Sequence, residues 1–395
     1  MKWKTWAAAI ALAATAFAGL ASAQSITLTV DCGKGQKIGD AIERADINKP
    51  LTVNIRGTCT ESVLISRDNV TLMGGTLVGP DSNQNLITVS ARGVRISSMT
   101  LSGGNFGVAA RRQSEVSVVG TTIQNTASHA VRATNAAVRT VSLTGASPLP
   151  CVIEYAGGRG VSAEMGASVN VSDCQIRDNA DAGIYAQSNS AVYVMNSIIS
   201  GNRSSGVFLE FGSSGILNGN TITNNSQAGV LLFGSAHANM NANTIANGKD
   251  VGLAMDRSDV EGFDNVINGN KGSGVVASGS SLALWGGSVS GNGAHGMDLG
   301  FATYVLLDGT EVIGNAASGV ALEVNSTARI VGAKVKDNYH SGISLSRSSK
   351  LFLWDRETDV TGNVTGFGLN CTDAESSAWD MGLLIGSISP ACTGY

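Results

Sequence analysis

The sequence GNRSSGVFLE at residues 201–210 sets a frame that returns along most of the chain. It recurs as NNSQAGVLLF at 224–233, GNKGSGVVAS at 269–278 and GNAASGVALE at 314–323. The glycine before the hydrophobic residues recurs every 22 or 23 residues, at Gly160, Gly183, Gly206, Gly229, Gly252, Gly274, Gly296, Gly319 and Gly342. A fixed period in this range indicates a solenoid or a propeller.

The residues that follow each glycine predict a short strand. The first and third positions are apolar in nearly every copy, as in Val207 and Leu209, whereas the second and fourth vary. This period of two indicates one buried face. A second apolar segment, such as TIT at 221–223, comes before each repeat, and no copy has a long helical pattern. One coil of two or three strands per repeat predicts a parallel β-helix, with coils about 4.8 Å apart.

An asparagine stands four residues before the glycine in most copies. It occurs as Asn179, Asn202, Asn225, Asn270, Asn292, Asn315 and Asn338. Stacked at a turn, these amides can hydrogen-bond from coil to coil. Asparagine also tolerates the left-handed backbone that a sharp bend requires. We therefore interpret these residues as structural.

The Asn–x3–Gly–hydrophobic repeat resembles that of the right-handed parallel β-helix proteins of the pectin-lyase-like superfamily. The resemblance covers roughly residues 60–368. It implies an all-β, single-stranded β-helix with an N-terminal cap at 24–59 and a C-terminal cap at 369–395. The segment GQKIGDAIERA at 35–45 is similar to the short amphipathic helix that caps such proteins. A cap is needed because an open end is an unpaired strand edge.

The first 23 residues have the features of a signal peptide. Lys2 and Lys4 precede an apolar run over 6–20 that is too short to span a bilayer, and Ala21-Ser22-Ala23 is a cleavage motif. We expect a secreted or periplasmic protein with no membrane span after cleavage. The chain from Gln24 has 24 basic and 30 acidic residues, a net charge of −6. Without a continuous basic face, nucleic acid is not an expected partner.

Six cysteines, an even number, indicate disulfides in an exported protein. The natural local pairs are Cys32 with Cys59 and Cys371 with Cys392. Cys151 and Cys174 each lie nine residues before a repeat glycine, so they share a column in adjacent coils, about 5 Å apart. They are either a disulfide or two stacked thiols.

The resemblance does not decide function, because the superfamily includes lyases, hydrolases, esterases, epimerases and non-catalytic surface proteins. None of the complete motifs of pectate lyases, polygalacturonases or alginate epimerases occurs here. One hypothesis is recognition, with or without cleavage, of an extracellular or envelope polysaccharide. An enzyme would be a polysaccharide lyase or glycoside hydrolase without an organic cofactor. Calcium would suit a lyase, although no dense Asp cluster supports it. The alternative is a non-catalytic structural or protein-interaction rod.

The outward face of the strands that follow the glycines carries the first candidate site. Tyr185, Phe208 and Leu231 occupy one position in consecutive coils, and Phe233 lies beside them. A run of large apolar side chains on an outward face is unusual. With Glu210 and Asp256 alongside, this face could stack sugar rings and bind their hydroxyls. A neighbouring loop or a second subunit could cover it instead.

A second candidate site combines arginines with an insertion. Arg111 and Arg132 lie on the same outward face in adjacent coils. Ala130 takes the place of a repeat glycine, and the spacing from it to Gly160 is 30 residues, the longest between repeats. Inserted loops commonly build binding sites in solenoids, and arginine pairs bind carboxylates well. We expect an anionic-polysaccharide subsite here, with Glu154 as a further member, or solvated arginines beside a tolerated insertion.

A third candidate is a pair of carboxylates. Asp298 and Glu323 lie one coil and two positions apart, roughly 8 Å between backbones, which suits an inverting glycosidase. Two solvated carboxylates would have the same spacing. The histidines are not expected to form a triad or a metal site.

Overall fold

The computed structural model describes residues 25–111, 114–134, 140–145, 150–354, 357–379 and 384–392. These residues form three parallel sheets, sheets 1, 2 and 3, of 16, 15 and 14 strands. The chain passes through the sheets in turn, so that each strand pairs with the equivalent strand of the next coil. This confirms the predicted all-β parallel solenoid. The predicted signal peptide at 1–23 lies outside the described residues.

Sheet 1 contains the strands Ile26–Asp31, Leu51–Arg56, Val70–Met73, Val94–Ser97, Glu115–Val119, Thr140–Thr144, Ser168–Ser172, Ala191–Met195, Ser214–Asn218, His237–Asn241, Asp259–Phe263, Ser281–Trp285, Tyr304–Asp308, Thr327–Val331, Lys350–Leu353 and Ser377–Trp379. Sheet 2 contains Thr58–Thr60, Thr76–Val78, Thr100–Ser102, Thr122–Gln124, Cys151–Glu154, Cys174–Arg177, Ile198–Ser200, Thr221–Thr223, Thr244–Ala246, Val266–Asn268, Ser288–Ser290, Glu311–Ile313, Lys334–Lys336, Asp359–Val360 and Leu384–Ile385. Sheet 3 contains Val63–Ile65, Ile87–Val89, Val108–Ala110, Val131–Thr134, Val161–Glu164, Ile184–Gln187, Val207–Glu210, Val230–Phe233, Leu253–Asp256, Val275–Ser278, Met297–Gly300, Val320–Leu322, Ile343–Leu345 and Leu369–Cys371.

The repeat glycine lies at the start of sheet 3 because the coils approach closely there. A Cβ atom at Gly206 would lie 2.5 Å from Ile222 Cγ2 and 2.6 Å from the Gly229 carbonyl oxygen. The apolar residues after each glycine point inward, and Val207 and Leu209 are fully buried. The core is therefore a stack of Val, Ile, Leu and Ala columns, and alternate residues of each strand face outward.

The predicted asparagine ladder is confirmed. Asn202 Nδ2 donates to Asn225 Oδ1 at 3.0 Å, while Asn202 Oδ1 accepts from Asn179 Nδ2 at the same distance. A second ladder at another bend joins Asn220 to Asn243 at 2.9 Å. These amides are buried, so each ladder supplies hydrogen bonds to backbone groups that the bends leave without sheet partners.

A short helix, Ile38–Arg44, lies at the N-terminal end, as the resemblance implied. Ile38 and Ile42 are buried against the core. The Glu61 carboxylate accepts hydrogen bonds from the backbone N–H of Ile38 at 2.7 Å and of Gly39 at 3.1 Å. Sheet 1 already begins before the helix, at Ile26, so parallel pairing starts inside the segment predicted as the N-terminal cap. A 3-10 turn, Cys32–Lys34, precedes the helix.

The cysteines form the three predicted pairs. The Cα atoms are 5.0 Å apart in Cys32–Cys59, 4.6 Å in Cys151–Cys174 and 4.9 Å in Cys371–Cys392. Of the two alternatives for Cys151 and Cys174, the structure has the disulfide, which joins adjacent strands of sheet 2. Among the described residues, no helix is long and apolar enough to cross a membrane.

Candidate functional site

Charged and aromatic side chains gather on the outward face of sheet 3, in the coils on either side of the insertion. We call this group the polar cluster; its members are His129, Arg132, Arg159, Glu164, Asp181, Tyr185 and Glu210. The parallel register brings them together, because Arg132 lies opposite Ser162, which in turn lies opposite Tyr185. Residues far apart in sequence thus share one surface.

Glu164 is the centre of the polar cluster. Its side chain is only 5% exposed, and Arg132 Nη2 lies 2.8 Å from one carboxylate oxygen. The Ser162 hydroxyl donates to the other oxygen at 2.8 Å, and Arg159 Nη1 lies 3.8 Å away. Burial alone would raise the pKa of Glu164, but the hydrogen bonds from Arg132 and Ser162 outweigh it and hold this pKa below its ordinary value. Glu164 is therefore a fixed anion that orients two guanidinium groups.

Arg159 covers Tyr185. The guanidinium carbon of Arg159 lies 3.3 Å from the centre of the Tyr185 ring, and its Nε lies 3.3 Å from the Asp181 carboxylate. Only 3% of Tyr185 is exposed. Its hydroxyl donates to the Glu210 carboxylate and lies 2.8 Å from Gln187 Oε1. Burial and the hydrogen bond to Glu210 raise the pKa of Tyr185, so this hydroxyl keeps its proton at neutral pH.

His129 supports the cluster from the side of the insertion. Its Nδ1 accepts a hydrogen bond from the Arg159 backbone N–H at 3.0 Å, and its ring stacks on Phe106 with centroids 5.4 Å apart. Burial and the positive charge of Arg159 lower the pKa of His129 to about 4. The neutral ring with Nδ1 as acceptor carries its proton on Nε2, so His129 is a hydrogen-bond donor at neutral pH.

Of the residues predicted from sequence, the structure brings Arg132, Tyr185 and Glu210 into the polar cluster. Phe208 packs edge-on against Tyr185, with centroids 5.3 Å apart. Arg111 is exposed on the neighbouring coil, beside a depression of about 520 Å³ that is also lined by Asn85, Asn105 and Phe106. This side chain extends the charged surface toward the N-terminal end.

Phe233 and Asp256 lie further along the same face. The Asp256 carboxylate is 3.1 Å from Arg257 Nη2, and the Arg257 guanidinium carbon lies 5.3 Å from the centre of the Phe233 ring. Phe233 also packs edge-on against Phe211, with centroids 5.7 Å apart. Both predicted residues are half-buried, so they form the C-terminal continuation of the candidate surface.

The sequence reasoning missed four members of the polar cluster: His129, Arg159, Glu164 and Asp181. Glu164 stands at the outward fourth position after Gly160, but it is buried because Arg132 and Arg159 fold over it. His129 was considered only for a triad or a metal site, and the structure instead places it in the polar cluster through the Arg159 backbone. Arg159 and Asp181 stand just before repeat glycines, on the bend that enters sheet 3. In the sequence, the one indication of these two residues is that a charged side chain stands at the bend just before a repeat glycine.

The carboxylate pair lies elsewhere on the same face. Asp298 is five strands from Tyr185 in sheet 3, about 24 Å along the axis. Glu323 lies 3.8 Å from Arg347 Nη1 and borders a depression of about 420 Å³ that Asp373 also lines. Glu154 is on sheet 2, where its carboxylate lies 2.7 Å from Arg177 Nη2. It therefore does not share a face with Arg111 and Arg132, contrary to the expectation for that subsite.

No group of three or more His, Cys, Asp or Glu side chains that could hold a metal ion occurs within the described parts of the chain. The polar cluster instead combines two guanidinium groups with three carboxylates, a phenol and a neutral imidazole. Such a set can hydrogen-bond to hydroxyl and carboxyl groups of a ligand.

The fold defines the class of this protein as a parallel β-solenoid with a polar outward face. The family model for right-handed β-helix regions matches residues 52–190, 149–285 and 264–377. The chain therefore belongs to the right-handed β-helix family, which confirms the resemblance seen in the sequence.

Solved structures with the same fold have low sequence identity to this chain. The periplasmic alginate epimerase AlgG is 12% identical, with 91% of this chain and 83% of that chain covered and a TM-score of 0.50. The A-module of the mannuronan C-5 epimerase AlgE4 from Azotobacter vinelandii is 14% identical, with coverage of 89% and 95% and a TM-score of 0.47. At these identities the similarity shows the fold alone. No curated protein matches the sequence.

Proposed function

We propose that this protein is exported and binds an extracellular or envelope polysaccharide along the outward face of sheet 3. The polar cluster is the observation that carries the proposal. A solvated strand face does not need a buried carboxylate held by two arginines, because burying charges costs free energy unless they are paired. An array that fixes the direction of guanidinium and phenol groups is typical of a site that recognises polar ligands.

The ligand class follows from the groups that remain accessible. The Arg132 side chain is 35% exposed although it binds Glu164, and Arg111 is exposed beside an amide-lined depression. Guanidinium groups bind carboxylates in a bidentate manner. Half-buried Phe208 and Phe233 add apolar surface against which sugar rings can pack. We therefore propose a carboxylated polysaccharide, bound across Arg111, Arg132, Phe208, Glu210, Phe233 and Asp256. Tyr185, which is buried beneath Arg159, takes part by holding the Glu210 carboxylate.

Two further findings support export and a polysaccharide ligand. Three disulfides suit an oxidising compartment, either the periplasm or the medium. AlgG, which shares the fold, is described as a periplasmic alginate epimerase. Alginate is a polymer of uronates, so its carboxylates are groups of the kind that Arg111 and Arg132 can bind.

Cleavage is the further part of the proposal. The carboxylates of Asp298 and Glu323 are the proposed acid and base of a hydrolase. A lyase that acts on the carboxylated units of the polysaccharide is the alternative form of cleavage. No organic cofactor is part of either scheme. Calcium is proposed only as a bridge between ligand carboxylates and the acidic groups of this face.

The test is binding of the chain from Gln24 to an array of acidic and neutral glycans, with and without calcium. Binding to acidic glycans that weakens at least tenfold in Arg132→Ala and in Phe208→Ala would place the site on sheet 3. Arg95→Ala, which removes an exposed arginine from sheet 1, is the matched control and should bind normally. Assays for reducing ends and for absorbance of unsaturated uronates then test cleavage.

If the folded protein binds no glycan, the proposal is wrong and the non-catalytic rod takes its place. If glycans bind but no product forms, recognition stands and cleavage is rejected. Circular dichroism of each variant confirms that the β-helix is intact.

A further inference from the structure

The outward face of sheet 1 changes character in the C-terminal third of the chain. All three tryptophans of the described residues lie there. We call this surface the aromatic strip; it consists of Phe263, Trp285, Tyr304, Leu306, Phe352, Trp354 and Trp379. It belongs to a different sheet from the polar cluster, and the proposed function does not use it.

The aromatic rings of the strip stack on one another across coils. Phe263 and Trp285 are parallel within 11° with centroids 4.6 Å apart, and Phe352 and Trp379 are parallel within 5° at 4.7 Å. The Arg329 guanidinium carbon lies 4.5 Å from the centre of the Trp354 ring. One face of each of these stacked rings is thus covered by its neighbour. Because a sugar ring stacks on a free ring face, this arrangement favours a flat protein partner over a sugar.

The strip is nevertheless well exposed. Phe263 is 49% exposed, Tyr304 43% and Trp354 54%. Exposed apolar surface that is contiguous and rimmed by polar residues marks an interaction site. Tryptophan and arginine are also the residues that contribute most often to the energetic centre of protein interfaces.

Charges at the two ends of the strip have opposite signs. Asp259 and Glu261 lie on the first of its six strands, while Arg329 and Lys350 lie on the fourth and fifth. The register places Asp259, Ser281, Tyr304, Thr327 and Lys350 in one column of outward residues. Leu306 is on Tyr304–Asp308, the middle of the five strands from Asp259–Phe263 to Lys350–Leu353. Asp259 and Lys350 are therefore each two strands from this centre.

We propose that the aromatic strip binds a second copy of this chain, with the two β-helices antiparallel. The two-fold axis runs parallel to the strands through Tyr304–Asp308. This symmetry places Asp259 opposite Lys350 of the second copy and Phe263 opposite Trp354, while Leu306 contacts its own equivalent. A parallel pairing would instead place Glu261 against Glu261 and Arg329 against Arg329, where like charges repel. The cost of the antiparallel arrangement is that the two Asp308 side chains face each other at one end of the axis.

The available area fits a weak dimer. Seven strands, from His237–Asn241 to Ser377–Trp379, extend about 34 Å along the axis, and their mean length is about 15 Å because the last two are shorter. This gives about 500 Å² for each copy and about 1,000 Å² in total, at the lower limit of specific interfaces. We expect a concentration-dependent dimer that dissociates at micromolar concentration.

Sedimentation velocity of the chain from Gln24 over a dilution series tests this proposal. The wild type should shift from monomer to dimer as concentration rises. Leu306→Lys places two like charges on the two-fold axis and should raise the dissociation constant at least tenfold. Ile216→Lys makes the same kind of change in the same outward column, on the strand Ser214–Asn218, and should leave the equilibrium unchanged.

A charge exchange tests the antiparallel register. Lys350→Asp should weaken the dimer, because two acidic residues then face each other. The double variant Asp259→Lys/Lys350→Asp should restore it, since the pair is only inverted. Absence of restoration would overturn the register. A protein that stays monomeric at every concentration would overturn the proposal. Loss of glycan binding in Leu306→Lys, in a protein that forms no dimer, would also overturn it, because the strip would then bind a glycan. Glycan binding to sheet 3 is measured separately, so either proposal can fail alone.

Discussion

At the scale of single residues, Glu164 shows how the fold turns ordinary surface residues into a constrained group. The carboxylate is buried, and hydrogen bonds from Arg132 and Ser162 stabilise its charged form there. Loss of one partner from a buried pair leaves an uncompensated charge. The cluster should therefore respond as a unit to mutation, and not as independent side chains.

The pH dependence of stability is predicted from His129. In the unfolded chain this imidazole has its ordinary pKa of 6.5, whereas in the fold its pKa is about 4. Between these values the unfolded state binds more protons, so His129 lowers stability as pH falls through this window and has no such effect above it. Because the ring is partly exposed, we expect about 1–2 kcal/mol between pH 7 and pH 4.5.

Urea unfolding of the wild type and of His129→Asn at both pH values checks this prediction. The asparagine Oδ1 can accept from the Arg159 N–H as Nδ1 does, but it does not titrate. The variant should lose less stability on acidification than the wild type. His295→Asn is the control, since His295 Nδ1 accepts a corresponding hydrogen bond from Ser318 N–H. Equal losses in wild type and His129→Asn would contradict the assignment.

Residue roles were only partly predictable. Arg132, Tyr185 and Glu210 could be selected from sequence because they occupy outward strand positions in a regular frame. Arg159 and Asp181 could be noticed only as charged residues on a bend. The periodicity does not predict side-chain direction there, so their contacts could not be predicted. The burial of Glu164 depends on two guanidinium groups, one of which enters from that bend.

At the scale of elements, the asparagine ladder is the clearest source of stability. Asn202 is fully buried. Its amide nitrogen donates to Ile176 O at 3.3 Å and to Asn225 Oδ1 at 3.0 Å, while its oxygen accepts from Asn179. One coil beyond Asn225, Gly248 interrupts the ladder, although its backbone N–H still donates to Asn270 Oδ1 at 3.0 Å. The gap therefore keeps the backbone bond of the ladder and lacks the side-chain bonds.

Asn202→Ala should lower the free energy of unfolding by about 3 kcal/mol or more, because several buried polar groups lose their partners. Asn239→Ala is the matched control, since Asn239 is half-buried on the outward face of sheet 1; it should change stability by less than about 0.5 kcal/mol. Urea unfolding measures both. A cost for Asn202→Ala as small as that of the control would show that the ladder is not stabilising.

At the scale of the whole molecule, the N-terminal cap depends on one arginine. Arg67 is only 6% exposed. Its guanidinium donates to the carbonyl oxygens of Ala45 at 2.9 Å and of Asp46 and Lys49 at 2.6 Å. These carbonyls follow the capping helix, so Arg67 ties the cap to the coil beneath it. The cap in turn covers strand edges that would otherwise pair with other molecules.

Arg67→Ala should therefore loosen the cap and cause aggregation. We expect a loss of about 3 kcal/mol or more, and light scattering that rises with concentration below the unfolding temperature. Arg44→Ala removes an exposed arginine of the same helix, paired with Asp40 at 3.2 Å, and should leave both properties near wild type. Unchanged scattering in Arg67→Ala would mean that the cap closes the end without this residue.

The sequence alone determined the coil: its length, its inward apolar columns, and its glycine and asparagine positions. These features are periodic, and each repeat must fit the one below it, so local pattern and fold agree. Only the tertiary structure decided which outward residues interact. Outward positions do not have to match the coil beneath, and their partners come from other coils and from bends. Both the polar cluster of sheet 3 and the aromatic strip of sheet 1 consist of such residues.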